Sequence, residues 1–176
     1  FYKDIHKDKQ PFFAAMFTLS SHEPYDVPMK PRFPGKDQTT LFENSVYYTD
    51  SIIGHFIRIL KQDTLWKNTL IVFVADHGHT LPGHDSNDSP AKFRIPLIFS
   101  GGALTMNGKI NNIGSQTDIV TTVLDQLHLP ANKFKWGKDL LDTSAHQFAF
   151  YSFNNGFGFV TPHGTETMDN VSRKPI

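Results

Sequence analysis

Asp76, His77 and His79 are the densest group of chemically active side chains in the sequence, with Gly78 lying between the two histidines. A carboxylate beside an imidazole offers a divalent cation one hard oxygen ligand and one nitrogen ligand. Gly78 allows the backbone to turn sharply after the pair. The residue types leave a second interpretation open, in which Asp76 caps the following turn and His77 is a surface histidine. We interpret His79 as facing solvent.

A second group of polar residues, Ser21, His22 and Glu23, follows another apolar run, and His84 lies in the loop after Gly78. Neutral imidazoles bind metal ions, whereas protonated ones bind oxyanions or donate a proton to a leaving group. Ser21 and His22 do not make a convincing nucleophile and base, because adjacent residues of an extended chain project to opposite faces. We therefore expect the histidines to bind ligands.

The elements that would position these groups are two strands and a helix. Residues 69–75 form a continuous apolar, β-branched run, which predicts a strand buried on both faces. Residues 12–19 predict a second such strand. Between them, apolar residues recur at helical spacing from a capping box at Thr40 and Glu43 to about residue 61. A strand, a helix and a strand predict a parallel βαβ unit, with ligands at the carboxyl ends of the strands.

The second half of the sequence continues the alternation of elements. Residues 95–99 predict a strand and residues 117–127 a helix. Two alternating runs, 147–153 and 157–161, flank an Asn-Gly pair that is typical of a hairpin turn. We therefore predict an α/β fold with a mainly parallel mixed sheet, helices on both faces and a C-terminal β-hairpin.

Composition excludes several functional classes. The chain has 176 residues, equal numbers of acidic and basic residues, and no cysteine. The absence of a basic excess argues against nucleic acid as a partner. Without cysteine there are neither disulfides nor thiolate metal sites. Because the sequence begins at Phe1 in a polar stretch, we expect it to be a piece of a larger protein.

The ordered set of motifs resembles the C-terminal part of the sulfatase and alkaline-phosphatase superfamily, most closely the phosphoglycerol transferases that are like lipoteichoic acid synthase. The resemblance covers about residues 12–141, and it is carried by residues 13–25, 47–60, 68–78, 94–98 and 116–124. An ordered set is far more specific than an Asp-His-Gly triplet alone. It implies that residues 1–176 are the C-terminal part of one sulfatase-like catalytic domain, with residues 142–176 as a hairpin and tail.

The resemblance also implies roles for particular residues. Asp76 and His77 match metal ligands, and His22 matches a histidine that contacts the substrate. His84 corresponds more loosely to a second substrate-contacting histidine. The implied cofactor is one divalent ion, manganese or magnesium, with calcium and zinc as alternatives. The implied chemistry is attack by a metal-activated Thr or Ser on the ester, through a covalent intermediate.

In this family the nucleophile precedes the matched region, so the resemblance assigns no catalytic residue to this chain, and we expect the chain alone to be inactive. Gly78 stands where the transferases tend to have an aromatic residue, as it does in sulfatases, so sulfate esters are an alternative to phosphate esters. A third possibility is an inactive relative that serves as a binding domain. The expected substrate is a phosphate or sulfate ester, with a lipid- or glycan-linked ester as one alternative. The expected location is the extracytoplasmic face of the cell membrane, through a membrane anchor in the parent protein.

Overall fold

The computed structural model describes residues 1–7 and 11–176, which form two compact units. The first unit comprises Phe1–Val74, Leu81–His84 and Leu97–Thr105. The second comprises Ala75–Thr80, Asp85–Pro96 and Met106–Ile176.

The first unit contains the long predicted helix. A short helix α1, Tyr2–Ile5, which was not predicted, precedes helix α2, Gln38–Leu60. The predicted capping box at Thr40 is wrong, because the N-cap is Asp37. The Asp37 carboxylate accepts hydrogen bonds from the backbone N–H of Thr40, at 3.0 Å, and from its hydroxyl, at 2.7 Å. A short carboxylate at this position satisfies backbone donors that the first helical turn leaves unpaired.

A buried amide fastens the loop before α2 to the helix. Asn44 is 4% exposed, and its side-chain oxygen accepts hydrogen bonds from the backbone N–H groups of Arg32 and Phe33. Its amide nitrogen donates to the carbonyl oxygens of Phe33 and Thr40. All four hydrogen bonds of this buried side chain are therefore made, which is what burial of a polar group requires.

Strands β1, Ile71–Val74, and β2, Leu97–Ser100, confirm the strands predicted near residues 69–75 and 95–99. They pair with each other antiparallel, with Ile71 opposite Ser100. The parallel pairing predicted for β1 is therefore wrong within the described residues. The prediction of complete burial is wrong as well, since Val74 is 42% exposed. Among the described residues β1 has a neighbour on one edge only.

Residues 12–19 do not form the predicted strand. Three of their apolar side chains are among the most exposed in the described chain, at 94% for Phe13, 86% for Phe17 and 80% for Leu19. Nothing in the described part of the chain pairs with this segment in a sheet. An apolar run becomes a buried strand only when neighbouring strands and covering helices remove it from water.

The second unit contains helix α3, Thr117–Gln126, and a four-stranded antiparallel sheet. Its strands lie in chain order: β3, Ala149–Phe153; β4, Gly156–Thr161; β5, Gly164–Asp169; and β6, Lys174–Pro175. The predicted helix and hairpin are confirmed. Helices and sheets together confirm the α/β class, with antiparallel instead of parallel pairing in both sheets.

Tyr151 organises the inner face of this sheet. It is 7% exposed, and its ring lies over Gly158, where an added Cβ would be 2.3 Å from the tyrosine ring. Its hydroxyl donates to the carbonyl oxygen of Asp88 and lies 2.6 Å from the Thr167 hydroxyl. The ring also stacks on Phe93, with 4.6 Å between centroids. The glycine is needed because only hydrogen leaves room for the aromatic ring.

Helix α3 is anchored by a buried ion pair. The Asp118 carboxylate, which is 2% exposed, lies 2.6 Å from the ammonium group of Lys138. It also accepts hydrogen bonds from the backbone N–H groups of Ser115 and Lys138. The ammonium group donates in addition to the carbonyl oxygen of Phe148, at 3.0 Å. The start of the helix is thereby joined to the segment that leads into β3.

No helix within residues 1–7 and 11–176 is long and apolar enough to cross a membrane.

Candidate functional site

Asp76 and His77 follow β1 after one intervening residue, Ala75, and both side chains reach solvent. Asp76 uses one carboxylate oxygen to accept a hydrogen bond from the backbone N–H of His77, at 3.0 Å. Its other oxygen lies 3.9 Å from Nε2 of His77. Asp76 therefore accepts from the first backbone N–H of the turn and still presents an oxygen beside the imidazole.

The hydrogen bond of the His77 ring determines which nitrogen could bind a metal ion. Nδ1 lies 2.8 Å from the carbonyl oxygen of Gly78. A carbonyl oxygen only accepts, so Nδ1 must carry the proton. In the neutral imidazole Nε2 then has a free lone pair, and Nε2 is the nitrogen that faces Asp76. Histidine ligands of metal ions are commonly oriented by such a second hydrogen bond.

Gly78 is required by the packing of the turn. A Cβ at this position would lie 1.7 Å from the carbonyl oxygen of Lys92 and 3.1 Å from Cα of Phe93. Both atoms belong to the backbone, which cannot move aside as a flexible side chain could. In this chain the glycine after the Asp-His pair is therefore required by packing, whatever the chemistry of the site.

Gln116, the N-cap residue of α3, is a contact of this turn that sequence reasoning did not identify. Its side-chain nitrogen donates to two successive carbonyl oxygens, that of Ala75 at 2.7 Å and that of Asp76 at 2.8 Å. About forty residues separate the partners in sequence, and no local pattern relates them.

The two predicted substrate-contacting histidines lie in the first unit, whereas Asp76 and His77 lie in the second. His22 is exposed, and its Nδ1 lies 2.9 Å from the carbonyl oxygen of Glu23. By the same argument as for His77, Nε2 of neutral His22 has the free lone pair. His84 is also exposed, with Nε2 3.4 Å from the hydroxyl of Thr39. Their roles in substrate binding stay predictions.

Asp76 and His77 suit a divalent cation as part of its coordination sphere. One carboxylate oxygen and one unprotonated imidazole nitrogen are ligands that manganese, magnesium and zinc sites use in different proportions. Over residues 1–7 and 11–176 no three His, Asp or Glu side chains are grouped closely enough to hold a metal ion by themselves. Asp76 and His77 therefore fit a metal ion as two of its ligands, and a complete site needs further ligands.

Comparison with known proteins relates the chain to the sulfatase family and to a lipoteichoic acid synthase-like protein. The Sulfatase family model matches residues 1–129. The lipoteichoic acid synthase-like protein YvgJ of Bacillus subtilis is 27% identical over 163 residues, which is 80% of this chain and 26% of that protein. Arylsulfatase K of Canis lupus familiaris is 31% identical over 104 residues, 57% of this chain and 19% of that protein.

A solved structure supports the same relationship at the level of the fold. A Vibrio parahaemolyticus protein of the alkaline phosphatase superfamily superimposes with a TM-score of 0.76 and 25% sequence identity. The match covers 99% of this chain and 46% of that one. The chain thus spans about a quarter or less of these two curated relatives and under half of the solved protein.

Proposed function

The chain belongs to the sulfatase family, and on that premise we propose that it is the metal-binding C-terminal portion of an extracytoplasmic enzyme acting on phosphate esters, a phosphoglycerol transferase or phosphodiesterase. The observation that carries the proposal is the arrangement at the end of β1. The free nitrogen of His77 and a carboxylate oxygen of Asp76 lie 3.9 Å apart and open to solvent. They lie within the region that the family model matches.

In this proposal Asp76 and His77 hold one divalent cation, manganese or magnesium, with calcium and zinc as the alternatives. When bound, the ion would supply Lewis-acid stabilisation of the negative charge that develops during ester cleavage. The hydrogen bond from Nδ1 of His77 to Gly78 leaves the lone pair of the neutral ring on Nε2, where it would be available to the ion. His22 and His84 contact the ester's oxyanion, since a protonated imidazole donates a hydrogen bond to such an oxygen.

The remaining parts of the reaction belong to the larger enzyme. The nucleophile, a Thr or Ser that forms the covalent intermediate, and the other metal ligands lie in a segment that precedes these residues. The parent enzyme is anchored in the cell membrane with this portion outside the cytoplasm. The support for this division is that the chain spans 26% of a lipoteichoic acid synthase-like relative.

Sulfate ester hydrolysis is the second candidate function. The likeness to an arylsulfatase favours it, although that match covers a smaller share of this chain. Gly78 does not add to it, because the backbone of Lys92 excludes any larger residue at this position. The two candidates share the metal site and differ in the ester that reacts.

Metal binding by the chain is the first test. Binding of Mn²⁺ should be detectable by electron paramagnetic resonance of the free ion, and it should be weak, because two ligands without a complete sphere bind loosely. Both Asp76→Ala and His77→Ala should abolish it, whereas Asp26→Ala, a change at another exposed aspartate, should not. Micromolar binding that survives Asp76→Ala would contradict the site.

Turnover by the parent enzyme is the second test. Its extracytoplasmic domain would be assayed with a chromogenic phosphodiester and with an aryl sulfate, each in the presence of manganese, magnesium, calcium or zinc. Metal-dependent phosphodiester cleavage that is lost in Asp76→Ala supports the proposal, and a preference for the aryl sulfate supports the alternative. No turnover of either ester would favour a binding domain that has lost its chemistry.

A further inference from the structure

We propose that Gln116 is a positioning residue, which holds the turn of Asp76 and His77 in the conformation that presents both side chains to a cation. The effect of Gln116 on metal binding rests on the proposed function. The positioning itself is inferred from the hydrogen bonds of the side-chain amide.

The amide group of Gln116 binds the backbone at the point where it leaves the strand. Its Nε2 carries two hydrogens, and both are directed to successive carbonyl oxygens, of Ala75 and Asp76. In a β-strand successive carbonyl groups point to opposite sides. One nitrogen can reach both only if the chain has turned, so Gln116 stabilises the turn and would not fit a continued strand.

Gln116 extends from a helix start that is itself anchored. It is the residue before α3, and its neighbour Ser115 donates its backbone N–H to the buried carboxylate of Asp118, at 2.8 Å. Asp118 is in turn paired with Lys138. The side chain therefore projects from an anchored helix start, and its two hydrogen bonds join the turn to α3.

The other end of the turn is held by packing, since Gly78 lies against the carbonyl oxygen of Lys92. Between these two supports lie the two hydrogen bonds that orient the side chains of Asp76 and His77. One joins the backbone N–H of His77 to Asp76, and the other joins Nδ1 of the His77 ring to Gly78. Removing the support at residues 75 and 76 should loosen both, because each depends on the backbone angles of the turn.

The ring of His77 provides a direct measurement that needs no metal ion. Nitrogen-15 chemical shifts of the imidazole report which nitrogen carries the proton in the neutral ring. We expect the Nδ1–H form to predominate in the wild-type chain. Gln116→Met, which keeps the length of the side chain and removes both donors, should shift the ring toward a mixture of the two forms. Gln116→Lys, which keeps a donor, should restore the wild-type form.

A matched control is available at the start of the other long helix. Gln38 is exposed and is the first residue of α2, so Gln38→Met makes the same replacement at a helix N-terminus away from the turn. It should leave the His77 ring unchanged. The positioning role is overturned if Gln116→Met leaves the ring in its wild-type form, or changes it no more than the control does.

Mn²⁺-induced broadening of the His77 signals links the inference to the proposed function. Loss of a residue that orients metal ligands typically weakens metal affinity about 10- to 100-fold, and we expect Gln116→Met to weaken Mn²⁺ binding about 10-fold. If the wild-type chain shows no broadening at His77 while the ring still responds to Gln116→Met, the metal role fails and the positioning role stands. If Asp76-dependent broadening is unaffected by Gln116→Met, the positioning role alone fails.

Discussion

Breaking the buried ion pair between Asp118 and Lys138 should destabilise the chain more than any change to an exposed charge. The Asp118 carboxylate is 2% exposed and accepts three hydrogen bonds, one from the Lys138 ammonium group at 2.6 Å and two from backbone N–H groups. Asp118→Ala removes all three and leaves the ammonium group with the carbonyl oxygen and the aromatic ring of Phe148, neither of which carries a negative charge. Removal of one partner from a buried pair typically costs 3–5 kcal/mol, and we expect a loss of about 4 kcal/mol.

Lys138→Met should cost less, about 2–3 kcal/mol, because the carboxylate keeps its two backbone donors and the methionine side chain replaces the lysine stem. The double variant of Asp118 and Lys138 should be destabilised by less than the sum of the single changes, since neither charge is then left buried without its partner. The difference should be about 2 kcal/mol, within the range measured for groups in direct contact.

Urea unfolding followed by far-ultraviolet circular dichroism would measure these free energies. Asp125→Ala and Lys133→Met make the same replacements at exposed positions, and each should change the free energy of unfolding by no more than about 0.5 kcal/mol. Repeating the comparison of single and double variants in 0.5 M salt should leave the interaction energy between Asp118 and Lys138 largely unchanged, because buried ion pairs are screened much less than exposed ones. A loss below about 1 kcal/mol for Asp118→Ala, or strict additivity in the double variant, would refute the reasoning.

Three further changes test other parts of the structure. The pKa of His6 is raised by the carbonyl oxygen of Tyr2 and by Asp63. His6 should therefore stabilise the fold fully below about pH 6.5 and lose that effect as the pH rises through its folded-state pKa. The loss of thermal stability caused by His6→Ala should be larger at pH 5.5 than at pH 8.5. Gly78→Ala should cost about 3 kcal/mol in urea unfolding and should also weaken Mn²⁺ binding, because the new methyl group meets backbone. Asn44→Ala should cost about 3 kcal/mol in the same assay, through the loss of four buried hydrogen bonds.

Each of these changes has a matched control in the chain. His163→Ala replaces another exposed histidine and is the control for His6→Ala. Gly108→Ala adds a methyl group where no atom lies within 4 Å, and Asn111→Ala removes an exposed amide. Equal effects in a variant and its control would count against the interaction in question.

The elements that sequence patterns predicted are those whose signal is local. Helical spacing of apolar residues located α2 and α3 to within a few residues, and Asn154 and Asn155 form the two-residue turn between β3 and β4. A β-branched run located β1. In each case the pattern lies within the element itself, because amphipathic spacing and turn chemistry are properties of consecutive residues.

The wrong predictions concern which strands pair with each other, because the periodicity of a segment does not specify its neighbour in the sheet. An apolar run is the same whether its neighbour runs parallel or antiparallel, so β1 was assigned the wrong pairing. Residues 12–19 have the pattern of a buried strand, yet most of them are exposed, since a strand needs partners that no feature of its own sequence provides. The strand β5, Gly164–Asp169, was not predicted, because its polar sequence gives no strand pattern. Its pairing with β4 is made by backbone groups that every residue has.

The sequence by itself determined which chemical groups are available at the candidate site: a carboxylate and an imidazole at the end of a strand, a glycine after them, and no thiol. Only the tertiary structure decided how they are presented. It directs Nδ1 of His77 to a carbonyl oxygen, brings the backbone of Lys92 against Gly78 and places the amide of Gln116 on the turn. Residue type sets the chemistry of a group, whereas its protonated nitrogen, its orientation and its support depend on atoms that folding brings from distant parts of the chain.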